Sequence, residues 1–239
     1  LRAADGRTFG FQWTVFRNRL TPPGGVVADS PLAPVQVYLG HFGLSDIAAQ
    51  RHRGWEVVAR PGLGQAHASE TTLDVALHDW ALKLNDDGTM TLRATEDDVA
   101  LDLTLTVAKP LVIHGTDGVH VKSEDATQAS HYLSYTRLAS RGTVTIGGET
   151  IAVDGLTWMD HEFGSTWLAG DEAGWDWFAL QLDTGDDLMI YRLRRKDGTA
   201  VPIASGTWVD AQGNAHPLKK GDYSLEPLDH WTSTETGAK

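Results

Sequence analysis

With 239 residues, 41% hydrophobic and 22% charged, the chain can bury one large core or two small ones and is too apolar to stay disordered. Its net charge of −12, from 32 acidic against 20 basic residues, argues against a nucleic-acid partner, and no apolar run reaches the ~20 residues of a membrane helix, so no transmembrane segment is expected. The lack of Cys excludes a disulfide scaffold, thiolate metal ligands and a cysteine nucleophile, while nine Trp are a heavy load for this length.

Leu1–Ala4 with Asp5-Gly6 reads as a strand end and a tight turn, and the polar run Trp231–Lys239 has no closing element, so a fragment of a longer chain is expected. Phe9, Phe11, Trp13 and Val15 alternate with Gly10, Gln12, Thr14 and Phe16, the period of two of a strand. Val35–Leu44 alternates likewise, and Leu44–Arg51 is the one short helical candidate. Further strands are expected over 53–60, 71–77, 81–84, 89–95, 99–107, 131–138, 142–146, 150–160, 175–182, 187–194, 203–209 and 223–227. Turn pairs such as Asp87-Gly88, Gly147-Gly148 and Asp197-Gly198 separate them. The long connections Thr21–Pro34 and Pro110–Ala129 have the length of mouths or lids.

Short strands joined by hairpin turns give an all-β fold, an antiparallel sandwich or barrel. The polar run Ser165–Gly174 interrupts the rhythm, which places an N-terminal domain over 1–165 and an incomplete C-terminal domain over 166–239. Phe9–Arg17 and Trp177–Arg192 share an aromatic–Gln core and an Arg end, which either duplication or a shared strand pattern explains.

The densest chemistry is Trp158-Met159-Asp160-His161-Glu162-Phe163-Gly164-Ser165. On a regular strand Trp158, Asp160 and Glu162 share one face and Met159, His161 and Phe163 the other, so Asp160 and His161 enter one pocket only if the strand bulges. The functional reading is an acid or base in an aromatic pocket; the bland one is a polar strand terminus. No His-x-His, His-Glu-x-x-His or EF-hand spacing occurs, and three adjacent residues suit one ion poorly, so no metal site is expected. No Gly-x-Ser-x-Gly elbow supports a serine nucleophile, Ser165 included. Trp175 and Trp177 share a face; the pattern favours core, the alternative being walls of a pocket for an apolar ligand. Tyr135 and Arg137 share a face, as do Gln36, Tyr38 and Phe42, with His41 opposite; such groups line a cavity if they point inward.

Taken in order, these pieces resemble the AttH-like proteins and carotenoid 1,2-hydratases (hydroxyneurosporene synthases). The matching segments run nearly end to end: Phe9-Gly10-Phe11-Gln12, Val37–Phe42, Asp79–Leu82, Leu101–Leu105 with Lys109-Pro110, Tyr132–Leu138, Thr157–Glu162, Gly174–Leu182 and Met189–Leu193. The resemblance implies two lipocalin-like β-barrel halves, and activity on hydrophobic polyenes or related compounds by adding water to an isolated double bond without a cofactor. The hydratase branch has His and Trp two apart where this chain has His161 and Phe163. It also has a catalytic Asp two residues after a Tyr, where Tyr191 is followed by Leu193. Either Asp160 or Glu162 then supplies the proton, or the chemistry differs.

The expectation is a cofactor-independent hydratase-, isomerase- or cyclase-like enzyme for a hydrophobic terpenoid or polyene. Asp160, His161 and Glu162 are its acid–base candidates, Tyr191 their hydrogen-bond partner. Trp158, Phe163, Trp175, Trp177, Tyr38, His41, Tyr135 and Arg137 are the substrate-binding candidates. The rival is a non-catalytic lipocalin-like carrier of a lipid or apolar metabolite. For either, a periplasmic or secreted location is expected.

Overall fold

The alternating apolar residues of this chain leave hairpins as the economical way to pair its backbone, and the computed structural model is a succession of antiparallel strands. It describes residues 1–20, 35–123, 128–164, 171–219, 221–229, 231–234 and 237. The strands are β1 (Arg2–Ala3), β2 (Phe9–Arg19), β3 (Gln36–Asp46), β4 (Arg51–Ala59), β5 (Ala66–Ala68), β6 (Asp74–Leu77), β7 (Trp80–Leu84), β8 (Met90–Glu96) and β9 (Val99–Val107). They continue with β10 (Val112–Ile113), β11 (Val119–Val121), β12 (Ala129–Ile146), β13 (Glu149–Phe163), β14 (Glu172–Gln181), β15 (Asp187–Arg195), β16 (Ala200–Val209) and β17 (Ala215–Leu218). No helix long and apolar enough to cross a membrane occurs among the described residues.

Packing divides the chain into two units, each discontinuous in sequence: Leu1–Ala108 with Arg137–Thr157, and Lys109–Thr136 with Trp158–Lys239. Strand β12 thus gives residues 129–136 to the second unit and 137–146 to the first, and β13 gives 149–157 to the first and 158–163 to the second. The sequence-based boundary near 165 lies outside the described residues, as does the connection Thr21–Pro34.

In the first unit, β9 shows why the strands form. Val99, Leu101, Leu103 and Leu105 are buried while Asp102, Thr104 and Thr106 face outward. Each such Leu contributes roughly 1.5–3 kcal/mol by leaving water. The β9 to β5 hairpins stack in sequence order, and β2–β3–β4 form a separate sheet. Phe42 of β3 stacks on Trp55 of β4 at 5.3 Å and meets Trp80 of β7 edge-on at 5.9 Å, joining the two sheets through one core. Gly40 is required beneath that contact. A Cβ there would lie 2.4 Å from Leu77 Cδ2 and 2.8 Å from Trp80 Cζ3. Gly40→Ala is expected to destabilise the protein by roughly 1–3 kcal/mol, read as a lower urea midpoint; an unchanged midpoint would contradict this packing.

Three expectations change. The helical candidate Leu44–Arg51 is the end of β3, a turn and the start of β4: Asp46 Oδ1 accepts from the Ala49 amide at 3.0 Å, and Gln50 at φ 51 reverses the chain. The two strands expected over 131–138 and 142–146 are one. Gly142 keeps the strand continuous, because a Cβ there would sit 1.9 Å from the Asp102 carbonyl oxygen of β9. Residues 223–227 form no strand, although the Tyr223 hydroxyl donates to the Tyr191 carbonyl at 2.9 Å.

The second unit is built on the sheet β14–β15–β16–β17, together with β10 and β11, which pair with the first part of β12. Tyr132, Met189, Tyr191, Leu193 and Val201 form its core cluster, with Trp158 packed against it. Beside it lies a buried ion pair: Lys109 Nζ is 2.8 Å from Asp187 Oδ2, which also accepts from the Thr136 hydroxyl at 2.9 Å.

Candidate active site

The strand period does the first work. Residues 158–163 of β13 are regular, so Trp158, Asp160 and Glu162 share a face, and that face meets Ser130, Tyr132 and Ser134 of β12. Asp160 receives three donors. The Tyr132 hydroxyl donates to Oδ2 at 2.9 Å, and Ser134 and Trp158 Nε1 donate to Oδ1 at 2.5 and 2.7 Å. A second row backs the first: Trp177 Nε1 donates to the Tyr132 oxygen at 3.1 Å, and His114 bridges Ser134 (Nε2, 2.9 Å) and Thr207 (Nδ1, 2.8 Å). Glu162 Oε1 accepts from Ser130 at 2.6 Å and pairs with Lys122.

Asp160 is exposed as a residue, yet protein atoms crowd its carboxylate, and the crowding sets its proton affinity. Burial pushes the carboxyl above the ordinary Asp range, and the Glu162 charge adds to this; the Ser134, Trp158 and Tyr132 donors pull the other way without cancelling it. The result is an acid that holds its proton longer than a surface Asp and whose conjugate base is already solvated by three fixed donors. Burial, with Asp160 close by, pushes the Tyr132 phenol far up, so it stays a donor. His114 and His120 are pushed down to about 4, chiefly by burial, then by the neighbouring His120 and Lys122 charges respectively.

Those two imidazoles predict an acid-sensitive fold. Between about 6.5 and about 4 the unfolded chain binds protons that folded His114 and His120 refuse, so stability present above 6.5 is lost as pH falls through that window. The loss is on the order of 1–3 kcal/mol per imidazole. Urea midpoints at pH 7.5 and pH 5 should differ accordingly, and His114→Gln should shrink the difference; equal midpoints would contradict buried neutral rings.

The other residues singled out in the sequence are placed as follows. His161 faces away from Asp160 and lies 5.1 Å from the Phe163 ring, which in turn stacks on His131 at 5.1 Å. Trp158 and Trp177 meet edge-on at 6.4 Å beside the Asp160 carboxylate. Trp175 and Trp177 are not core residues: they remain 57% and 41% exposed. Their cross-strand partners Leu193 and Tyr191 are the buried ones. Tyr191 has its hydroxyl 3.5 Å from the Val121 carbonyl and its ring against His120 at 5.1 Å. Tyr135 lies on the β12 face opposite Tyr132 and Ser134. Tyr38, His41 and Arg137 belong to the first unit, where Tyr38 is buried and His41 Nε2 lies 3.0 Å from Glu56. Ser165 lies outside the described residues.

Sequence reasoning missed Tyr132, Ser134, His114, Ser130 and Lys122 as site residues. One signal was present: Ser130, Tyr132, Ser134 and Thr136 place hydroxyl groups at every second position, a polar stripe inside an apolar strand.

The family model described as AttH-like matches residues 1–239. The chain belongs to the AttH-like family. Among solved structures, an AttH protein from Nitrosomonas europaea is similar to this AttH-like chain at 33% identity with a TM-score of 0.87, covering 99% of this chain and 70% of that one. Kievitone hydratase from Nectria haematococca is similar at 15% identity with a TM-score of 0.67, covering 91% of this chain and 61% of that one; at that identity the likeness concerns the fold. No curated protein matches. The chain therefore spans about two thirds of the length of these structures.

Proposed function

We propose that this AttH-like chain carries a cofactor-independent, hydratase-type acid–base site for a hydrophobic terpenoid or polyene, with Asp160 as the acid. The observation that carries the proposal is the Asp160 carboxyl: proton affinity raised by burial, three donors ready for the anion, and the Trp158 and Trp177 rings beside it. Kievitone hydratase shares the fold and is named for the same class of reaction.

The steps balance in protons and water alone. Protonated Asp160 gives its proton to the less substituted alkene carbon; the π pair forms the new C–H bond, leaving a carbocation on the other carbon and a carboxylate on Asp160. Tyr132, Ser134 and Trp158 stabilise that carboxylate without reorganising. The faces of Trp158 and Trp177 stabilise the cation, each by about 0.5–2 kcal/mol. Water adds to the cation, and its surplus proton returns to the Asp160 carboxylate, directly or by way of Glu162. Transfer of a proton from a neighbouring carbon to the Asp160 carboxylate instead gives an isomer and restores the acid.

Incubation with lycopene, squalene and geraniol in ¹⁸O-labelled water, followed by mass spectrometry, tests this. A product heavier by one labelled water, or an isomer, is expected from at least one alkene. Native mass spectrometry of the purified protein completes the test: an apolar molecule recovered intact, with no turnover of it, would identify a carrier and overturn the enzymatic proposal.

A further inference from the structure

The geometry assigns His114 as the positioning residue of this site, acting on Asp160 through Ser134. The assignment rests on the acid role proposed for Asp160. His114 touches neither the reacting face nor Asp160 itself; both its ring nitrogens are committed, one to Ser134 and one to Thr207, and all three side chains are buried.

The direction of each hydrogen bond follows by elimination. An ionised Asp160 has no proton to give, so the Ser134 hydroxyl donates to Oδ1. Ser134 then offers His114 only lone pairs, so His114 Nε2 carries the hydrogen. Its Nδ1 is bare and accepts the Thr207 hydroxyl. The chain Thr207–His114–Ser134–Asp160 runs one way. A serine hydroxyl rotates freely unless something fixes it. Here the Nε2–H occupies the lone-pair side of Ser134 and leaves the proton aimed at the carboxylate.

Among the described residues the charged and titratable neighbours are few. Tyr132 and Glu162 act on Asp160; His120 and Glu162 act on His114, whose ring also packs against Tyr132 at 4.4 Å; Lys122 acts on His120 and pairs with Glu162. None of them bonds the Ser134 hydroxyl, whose partners are Asp160 and His114. His114 thereby sets how well Asp160's anion is solvated once the proton has left, and so how readily it leaves.

The test is an NMR titration of the full chain labelled with ¹³C at Asp carboxyls, the Asp160 signal being the one lost in Asp160→Asn. Ser134→Ala should raise the Asp160 midpoint by about half to one pH unit, the worth of one hydrogen bond. His114→Leu should raise it by part of that amount, and the double variant should match Ser134→Ala alone. His114→Gln, which keeps an N–H near the Nε2 position, should stay at the wild-type midpoint. Thr207→Val, nearly isosteric, should move it in the same direction as His114→Leu but less, and serves if the leucine variant fails to fold. A His114→Leu shift that persists in the Ser134→Ala background, or a midpoint moved by neither His114→Leu nor Thr207→Val, would overturn the assignment. Because the readout needs no turnover, an active Asp160→Asn would refute the acid role without touching the relay, and an uncoupled titration would refute the relay alone.

Discussion

Asp160→Asn is expected to leave the protein folded and to lower turnover by roughly 10²- to 10⁴-fold, the usual worth of a positioned general acid. An amide is nearly isosteric with the carboxyl: its oxygen still accepts from Ser134 and Trp158, while its NH2 faces the Tyr132 oxygen and donates to it. Stability should even gain slightly near neutral pH. Because the folded Asp160 carboxyl is raised, the folded protein binds a proton there that the unfolded chain releases, and that contribution is lost as pH rises through the window between the ordinary and the raised value. Removing the carboxylate removes that loss. Activity loss with a retained urea midpoint is the expected pair of results; equal loss of both would mean that position 160 serves the fold.

Lys109→Met is expected to be the most damaging single change outside the site. Asp187 is 0% exposed and lies 2.8 Å from the Lys109 ammonium, which also donates to the Asp210 carbonyl at 2.8 Å. Stranding a buried charge costs about 3–5 kcal/mol, a large part of the roughly 5–15 kcal/mol that holds a typical domain. The melting temperature should fall by about 6–20 °C. The pair also steadies the site, since Thr136, bonded to Asp187, lies two residues along the same β12 face from Ser134. Lys109→Met/Asp187→Leu should recover most of the loss, because replacing both charges leaves neither stranded. A single variant as stable as wild type would mean that Asp187 has another partner of equal worth.

The strands were legible because one face of each is buried. Val99–Val107 has the same bounds in the sequence reading and in the structure, since its alternation of Leu and Thr has one interpretation. The 129–146 strand was not legible as one strand: Gly142 resembles a break until the Asp102 carbonyl is seen to lie where a side chain would go. The Leu44–Arg51 segment resembled a helix because Ile47, Ala48 and Ala49 follow one another, and the turn that Asp46 closes is a local side-chain bond that apolar period ignores.

The site was half legible. Asp160 and Glu162 stand out as ionisable groups beside a Trp, and the strand period already set His161 apart from them. Their partners Tyr132 and Ser134 lie 28 and 26 residues away in sequence from Asp160, within reach only through the β12–β13 pairing, and His114, which backs Ser134, is brought beside β12 by β10. The sequence reading singled out Tyr135 and Arg137 rather than the Tyr132–Ser134 stripe because both faces of that strand carry aromatic or polar groups. Packing against Met189, Tyr191 and Leu193 decides which face points inward. Of the nine Trp, Trp80 proved a core residue, while Trp158 and Trp177 spend their indole N–H on Asp160 and on Tyr132.

As proposed, Asp160 delivers the proton that starts the reaction. In D₂O its carboxyl exchanges with solvent, so an alkene turned over by the wild-type protein should gain one carbon-bound deuterium, on one face of the double bond. Under the same conditions Asp160→Asn should yield none above background. Equal, single-face deuteration by both proteins would contradict the account and transfer the acid to another group.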